Sequence, residues 1–116
     1  MEDLFLLLKE ASSPYHTVLA AERRLQDNGF CQMSMTDDWK LAPMGKYYVK
    51  HRDSSLFAFT VGNGVSRDVP VRIAAAHTDF PGLYIKSDPQ IEKHGYKQLN
   101  VEVYGGAILN TWLTDR

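Results

Sequence analysis

The residues with the most chemical potential stand together at Ala76-His77-Thr78-Asp79-Phe80-Pro81-Gly82. A neutral imidazole is a good zinc ligand, and a carboxylate that accepts its other ring N–H fixes the tautomer and raises its basicity. Side chains two residues apart in an extended segment point to the same side, so His77 and Asp79 can pair and leave one ring nitrogen for a metal. Taken alone the triplet is weak, and a His and an Asp merely bonded in a turn is its commoner reading. Nothing else in the sequence completes a site. It has no His-Glu-x-x-His, no Cys-x-x-Cys, no phosphate-cradling glycine loop and no Gly-x-Ser-x-Gly. His16, His51 and His94 read as surface or structural residues. Cys31, with no His or Lys beside it, reads as a small buried thiol.

Whatever His77 does depends on what holds it. It follows Val69 to Ala76, a β-prone run that becomes continuously small and apolar at Ile73-Ala74-Ala75-Ala76. Such a run predicts a central strand buried on both faces, and open α/β sheets gather ligands at the C-terminal ends of their strands. Upstream, Leu4, Leu7, Leu8 and Ala11 recur on one helical face, with Glu2 and Asp3 at the end where the dipole favours acids. Ser13 as N-cap and Pro14 at the first helical position start a second helix, which presents Tyr15, Val18, Ala21, Glu22 and Leu25 and stops at Asn28-Gly29. Lys46 to His51 and Ser55 to Val61 predict a hairpin about Arg52-Asp53-Ser54, and Gly62-Asn63-Gly64 a further turn. Leu83 to Ser87 and Gln98 to Tyr104 predict two more strands, separated by a polar connection from Asp88 to Gly95. The expected class is α/β, with two N-terminal helices followed by a mixed β-sheet.

Length and composition bound the rest. The chain has 116 residues, 13 Lys plus Arg against 14 Asp plus Glu and a net charge of -1, a size suited to one domain. A compact fold of this mass exposes about 6,400 Å², so roughly two-thirds of the extended chain's surface would be buried. With 44% hydrophobic and 23% charged residues, disorder and coiled coil are excluded. The near-neutral balance lacks the basic bias of nucleic-acid binders. Leu4 to Leu8 is too short to span a bilayer and is not flanked like a signal peptide, so neither nucleic acid nor membrane is an expected partner. One cysteine forms no internal disulfide, and a cytoplasmic, reducing compartment is the default.

Taken in order, Ser13-Pro14-Tyr15-His16, Gly45-Lys46-Tyr47-Tyr48, Ala76-His77-Thr78-Asp79 with Pro81-Gly82, Gly95-Tyr96-Lys97-Gln98-Leu99, and Val101-Glu102-Val103-Tyr104-Gly105-Gly106 with Asn110-Thr111-Trp112 resemble the aspartyl aminopeptidase family of zinc peptidases. The resemblance runs nearly the whole length of the chain. It implies a catalytic α/β domain with two zinc ions, an inserted β-rich domain used in oligomerisation, and removal of acidic residues from peptide N-termini. It further implies that His77 is a ligand of one zinc and that Asp79 is the catalytic-site carboxylate that orients it. By the same resemblance, residues 1–88 belong to the catalytic domain and residues 89–116 begin the inserted one. Phe80 departs from the family, where a small Ser is usual, and so does Thr114 within Trp112-Leu113-Thr114-Asp115-Arg116.

The family's bridging aspartate, general-base glutamate, other carboxylate ligand and second histidine lie downstream of the matched segment. The chain therefore resembles the N-terminal portion of such an enzyme, and alone it is expected to be inactive. The alternative is a non-catalytic scaffold or self-association module of the same lineage. Self-association is expected in either case. Val101, Val103, Ile108, Leu109, Trp112 and Leu113 form an apolar stretch, and such patches are usually covered.

Overall fold

The computed structural model describes residues 2–64, 70–106 and 108–112. The chain divides into two compact units, Met1–Asp79 and Phe80–Arg116. The first opens with α1 (Glu2–Glu10) and α2 (Pro14–Asp27), followed by β1 (Cys31–Gln32), β2 (Lys46–His51) and β3 (Ser55–Thr60). The sheet order is β1-β2-β3, with β1 parallel and β3 antiparallel to β2. Two helices and a mixed sheet are thus present, as the sequence predicts.

The helix boundaries follow from local chemistry. The Ser13 hydroxyl accepts the His16 amide at 3.3 Å, and the Ser13 carbonyl accepts the Thr17 amide at 2.8 Å. Pro14 fills the first turn, where its missing N–H is no loss. At the other end Gly29, at φ 79, donates to the Gln26 carbonyl while Phe30 donates to that of Leu25. This is the paired closure that a left-handed glycine permits. Val18, Ala20 and Glu22 are the buried residues of α2; Ala21 and Leu25, on the predicted face, are half-buried and Tyr15 is exposed. Helix α1 has no buried residue. It meets α2 through the Glu10–Arg24 ion pair at 3.2 Å and the buried Ala11 just beyond its end. Leu4 and Leu8 remain exposed, because among the described residues no second layer lies on that stripe.

Two sequence expectations need correction here. The central strand is β2, carrying the buried Tyr48 and Val49, and residues 70–76 are neither strand nor buried. Val71 and Ile73 are each 81% exposed. Hydrophobicity marks a segment that can be a central strand, but a strand exists only where neighbours accept its N–H and C=O groups, and among the described residues none pairs with this one. Val69 lies outside the described residues. Cys31 is also exposed, not buried, since it sits on the two-residue edge strand β1. Among the described residues the buried hydrophobic ones are Ala11, Val18, Ala20, Tyr48 and Val49.

The hairpin β2–β3 keeps unbroken register from Lys46↔Thr60 to His51↔Ser55. Its turn places Arg52 and Asp53 at φ 50 and 56, a left-handed pair built without glycine. Each such residue is disfavoured by about 1 kcal/mol. Trp39, Tyr47 and Phe57 each stack or tilt against Phe59, with centroids 5.5 to 5.7 Å apart.

The second unit is one long hairpin, β4 (Gly82–Lys93) and β5 (Tyr96–Tyr104), followed by the short α3 (Leu109–Trp112). His94 and Gly95, at φ 53 and 79, make the two-residue turn favoured by right-twisted strands. The expected connection from Asp88 to Gly95 is therefore mostly strand. Register shifts between Ile85 and Gln90, around Pro89, which cannot donate to a ladder. Tyr84 and Tyr104 pack edge to face at 4.6 Å. Val103, Ile108 and Leu109 are exposed and Val101 is half-buried. Leu113 to Arg116 and the side chain of Trp112 lie outside the described residues.

Candidate functional site

The structure joins the two residues singled out in the sequence. His77 Nδ1 lies 3.0 Å from Asp79 Oδ1. The imidazole is 91% exposed and the carboxylate 26%, so the acid is held against the protein while the ring projects from it. With the Nδ1 proton donated to Asp79, the Nε2 lone pair faces outward and is available to a metal.

Between them the Thr78 hydroxyl donates to the Ser54 carbonyl at 2.9 Å. Ser55, Leu56, Ala75 and Ala76 border the same open groove as His77, with a volume of about 550 Å³. The site thus rests on the β2–β3 turn and not on the end of a buried strand. His16 is engaged with Ser13 at the α2 cap, at 2.7 Å. His51 ends β2 and His94 occupies the β4–β5 turn.

The donor chemistry of His77 and Asp79 fits one imidazole ligand of a zinc ion and its orienting carboxylate. A zinc site takes three or four protein ligands. Among the described residues no group of three or more His, Cys, Asp or Glu could hold a metal, so His77 offers a single donor and the centre is not complete within them.

A second polar cluster escaped sequence reasoning. The Tyr48 hydroxyl donates to Glu22 Oε1 at 3.0 Å and accepts from Gln26 Nε2 at 2.9 Å, while Lys50 Nζ meets Glu22 Oε2 at 2.9 Å. The available signals were an acid on the apolar side of α2 and a Lys two residues from Tyr48 on the same face of β2. This cluster fastens α2 to the central strand. The Glu22 hydrogen bond holds the Lys50 ammonium above its ordinary value, and burial pushes the Tyr48 phenol up.

Both upward shifts act on stability with the same sign. Lys50 keeps its proton longer in the folded chain than in the unfolded one, and so does Tyr48. Their contribution is complete below about pH 10, the region of the unfolded values, and is lost as pH rises through the raised folded values. Urea unfolding from pH 7 to 11.5 should therefore show no decline from this cluster below pH 9 and a fall above 10. The fall should be shallower in Tyr48→Phe; an identical alkaline slope in that variant would contradict the assignment.

The framework finds its counterpart among known metallopeptidases. A family model described as aminopeptidase I zinc metalloprotease (M18) matches residues 7–116, and the chain belongs to this M18 family of metallo-aminopeptidases. It is 44% identical over 97% of its length to a probable M18 family aminopeptidase 2 of Streptomyces avermitilis, and 42% identical over 89% to one of Clostridium acetobutylicum. It covers 26% and 24% of these two proteins, so it spans about a quarter of the curated relatives. Among solved structures, 95% of the chain superposes on 22% of a chain in the cryo-EM structure of the Ape4 and Nbr1 complex, with a TM-score of 0.75 and 35% identity. The same share superposes on 26% of the Chaetomium thermophilum mApe1 chain, with a TM-score of 0.74 and 30% identity. No helix among the described residues is long and apolar enough to cross a membrane.

Proposed function

We propose that this chain supplies the N-terminal part of the catalytic framework of a cytoplasmic, homo-oligomeric zinc aminopeptidase that removes acidic residues from peptide N-termini. In this reading His77 is a ligand of one of two zinc ions and Asp79 orients it. The observation that carries the reading is the 3.0 Å His77–Asp79 bond with the ring projecting into an open groove. Bound zinc would supply a water of lowered pKa and polarise a carbonyl. The chain's own part is to hold the His77 tautomer, through Asp79, and to mount the pair on the β2–β3 turn. Residues 1–88 would belong to the catalytic domain and 89–116 to the start of an inserted β-rich one; the separate compactness of Phe80–Arg116 supports a second body in this part of the chain.

The second reading, a non-catalytic scaffold or self-association module, draws on the single metal donor found among the described residues. Zinc loading separates the two. In a hybrid that joins residues 7–116 to the downstream three-quarters of the Streptomyces avermitilis relative, Asp79→Asn should weaken zinc binding by about 10- to 100-fold, the usual effect of removing a ligand's carboxylate partner. His77→Ala should weaken it further. Unchanged zinc content in both variants would remove His77 and Asp79 from the centre.

A further inference from the structure

We propose that Thr78 is a positioning residue for His77, latching the His77–Asp79 pair to the β2–β3 turn through the Ser54 carbonyl; this rests on the reading of His77 as a metal ligand. Thr78 and Asp79 lie in a bend, and the side chains of the triplet take separate partners. His77 and Asp79 are bonded to each other at 3.0 Å, and the middle hydroxyl is bonded to Ser54 at 2.9 Å.

The latch matters because residues 70–77 belong to no regular element and are exposed. No β ladder among the described residues fixes their place, and the Thr78–Ser54 bond ties the adjoining residue to the turn. Its other end is stiff. Ser54 follows Arg52 and Asp53, both in the left-handed region, in a turn closed by six consecutive register pairs. Strained turns of this kind persist where the surrounding structure holds them, and they gather at functional sites. Ser55 and Leu56, which begin the next strand, border the groove beside His77. The turn that receives the Thr78 hydroxyl thus also builds the opposite wall of the site.

A hydroxyl at position 78 is then required, and its methyl group is not. Thr78→Ser keeps the donor, while Thr78→Val keeps the shape and removes it. Zinc affinity is measured in the hybrid that joins residues 7–116 to the downstream part of the Streptomyces avermitilis relative, and backbone order at residues 76–79 is read from amide relaxation in the ¹⁵N-labelled 116-residue chain. Thr78→Val and Thr78→Ala should each weaken zinc binding by the hybrid about tenfold. Their backbone order at 76–79 should fall below about 0.6. Thr78→Ser should match the parent in both readings, and the β2 and β3 amide resonances should stay in place throughout. If Thr78→Val matches the parent in zinc response and order, the latch is refuted while His77 stands as a ligand. If His77→Ala leaves zinc binding by the hybrid unchanged, the ligand reading falls and the latch falls with it.

Discussion

Replacing Tyr48 by Ala is expected to unfold the first unit. Tyr48 is the largest fully buried side chain, with 0% of its surface exposed, and it sits on the central strand of the sheet. Truncating a buried aromatic ring to Ala destabilises by about 3–5 kcal/mol through lost burial and the cavity left behind. Here the hydroxyl goes as well, leaving Glu22 Oε1 without the tyrosine donor and Gln26 Nε2 without its acceptor. Lys50 continues to hold Glu22 Oε2, so the carboxylate is not left unpaired. Small domains are stable by about 5–15 kcal/mol, so a loss of this size is a large share of the total. Tyr48→Phe retains the ring and should lose only about 1–2 kcal/mol. Far-ultraviolet circular dichroism during urea unfolding measures both; a Tyr48→Ala loss under about 1 kcal/mol would show that the core lies elsewhere.

What could be read from the sequence divides along physical lines. Ser13-Pro14 and Asn28-Gly29 announced α2 because caps are local: the atoms that satisfy the first and last backbone groups lie within a few residues of them. Arg52-Asp53-Ser54 announced its hairpin for the same reason. The segment 70–76 misled because burial is a property of neighbours, and a run of Ile and Ala states only what it would prefer. The strand β1 is too short to leave a pattern, yet it pairs with β2 at Cys31↔Tyr47 and makes the sheet mixed. Pro89 broke the apparent period of β4, hiding that the strand continues beyond the irregularity to Lys93.

At the site, the His77–Asp79 pair was legible because an imidazole and a carboxylate two residues apart lie within bonding reach of each other. The partner of Thr78 was not. A bond from position 78 to a carbonyl at position 54 depends on where the turn ends up in space, and nothing near Thr78 in the sequence marks it. The cluster of Glu22, Gln26, Tyr48 and Lys50 was hidden likewise, since each residue looks ordinary on its own element and acquires a role only when α2 lies against β2.

The second large effect concerns hydrolysis. The 116-residue chain by itself should leave N-terminal Asp and Glu substrates at the uncatalysed rate, because a zinc centre needs about three protein ligands and the described residues offer one imidazole and its orienting acid. Joined to the downstream three-quarters of the Streptomyces avermitilis relative, the same residues should take part in a complete centre. The measurement is release of the N-terminal residue from Asp-, Glu- and Leu-peptides by the chain and by the hybrid, each with and without chelator. The proposed function predicts background rates for the chain, and for the hybrid a chelator-sensitive activity that favours Asp and Glu and is lost in His77→Ala. Chelator-sensitive hydrolysis by the purified chain alone, or a hybrid whose activity survives His77→Ala, would contradict it.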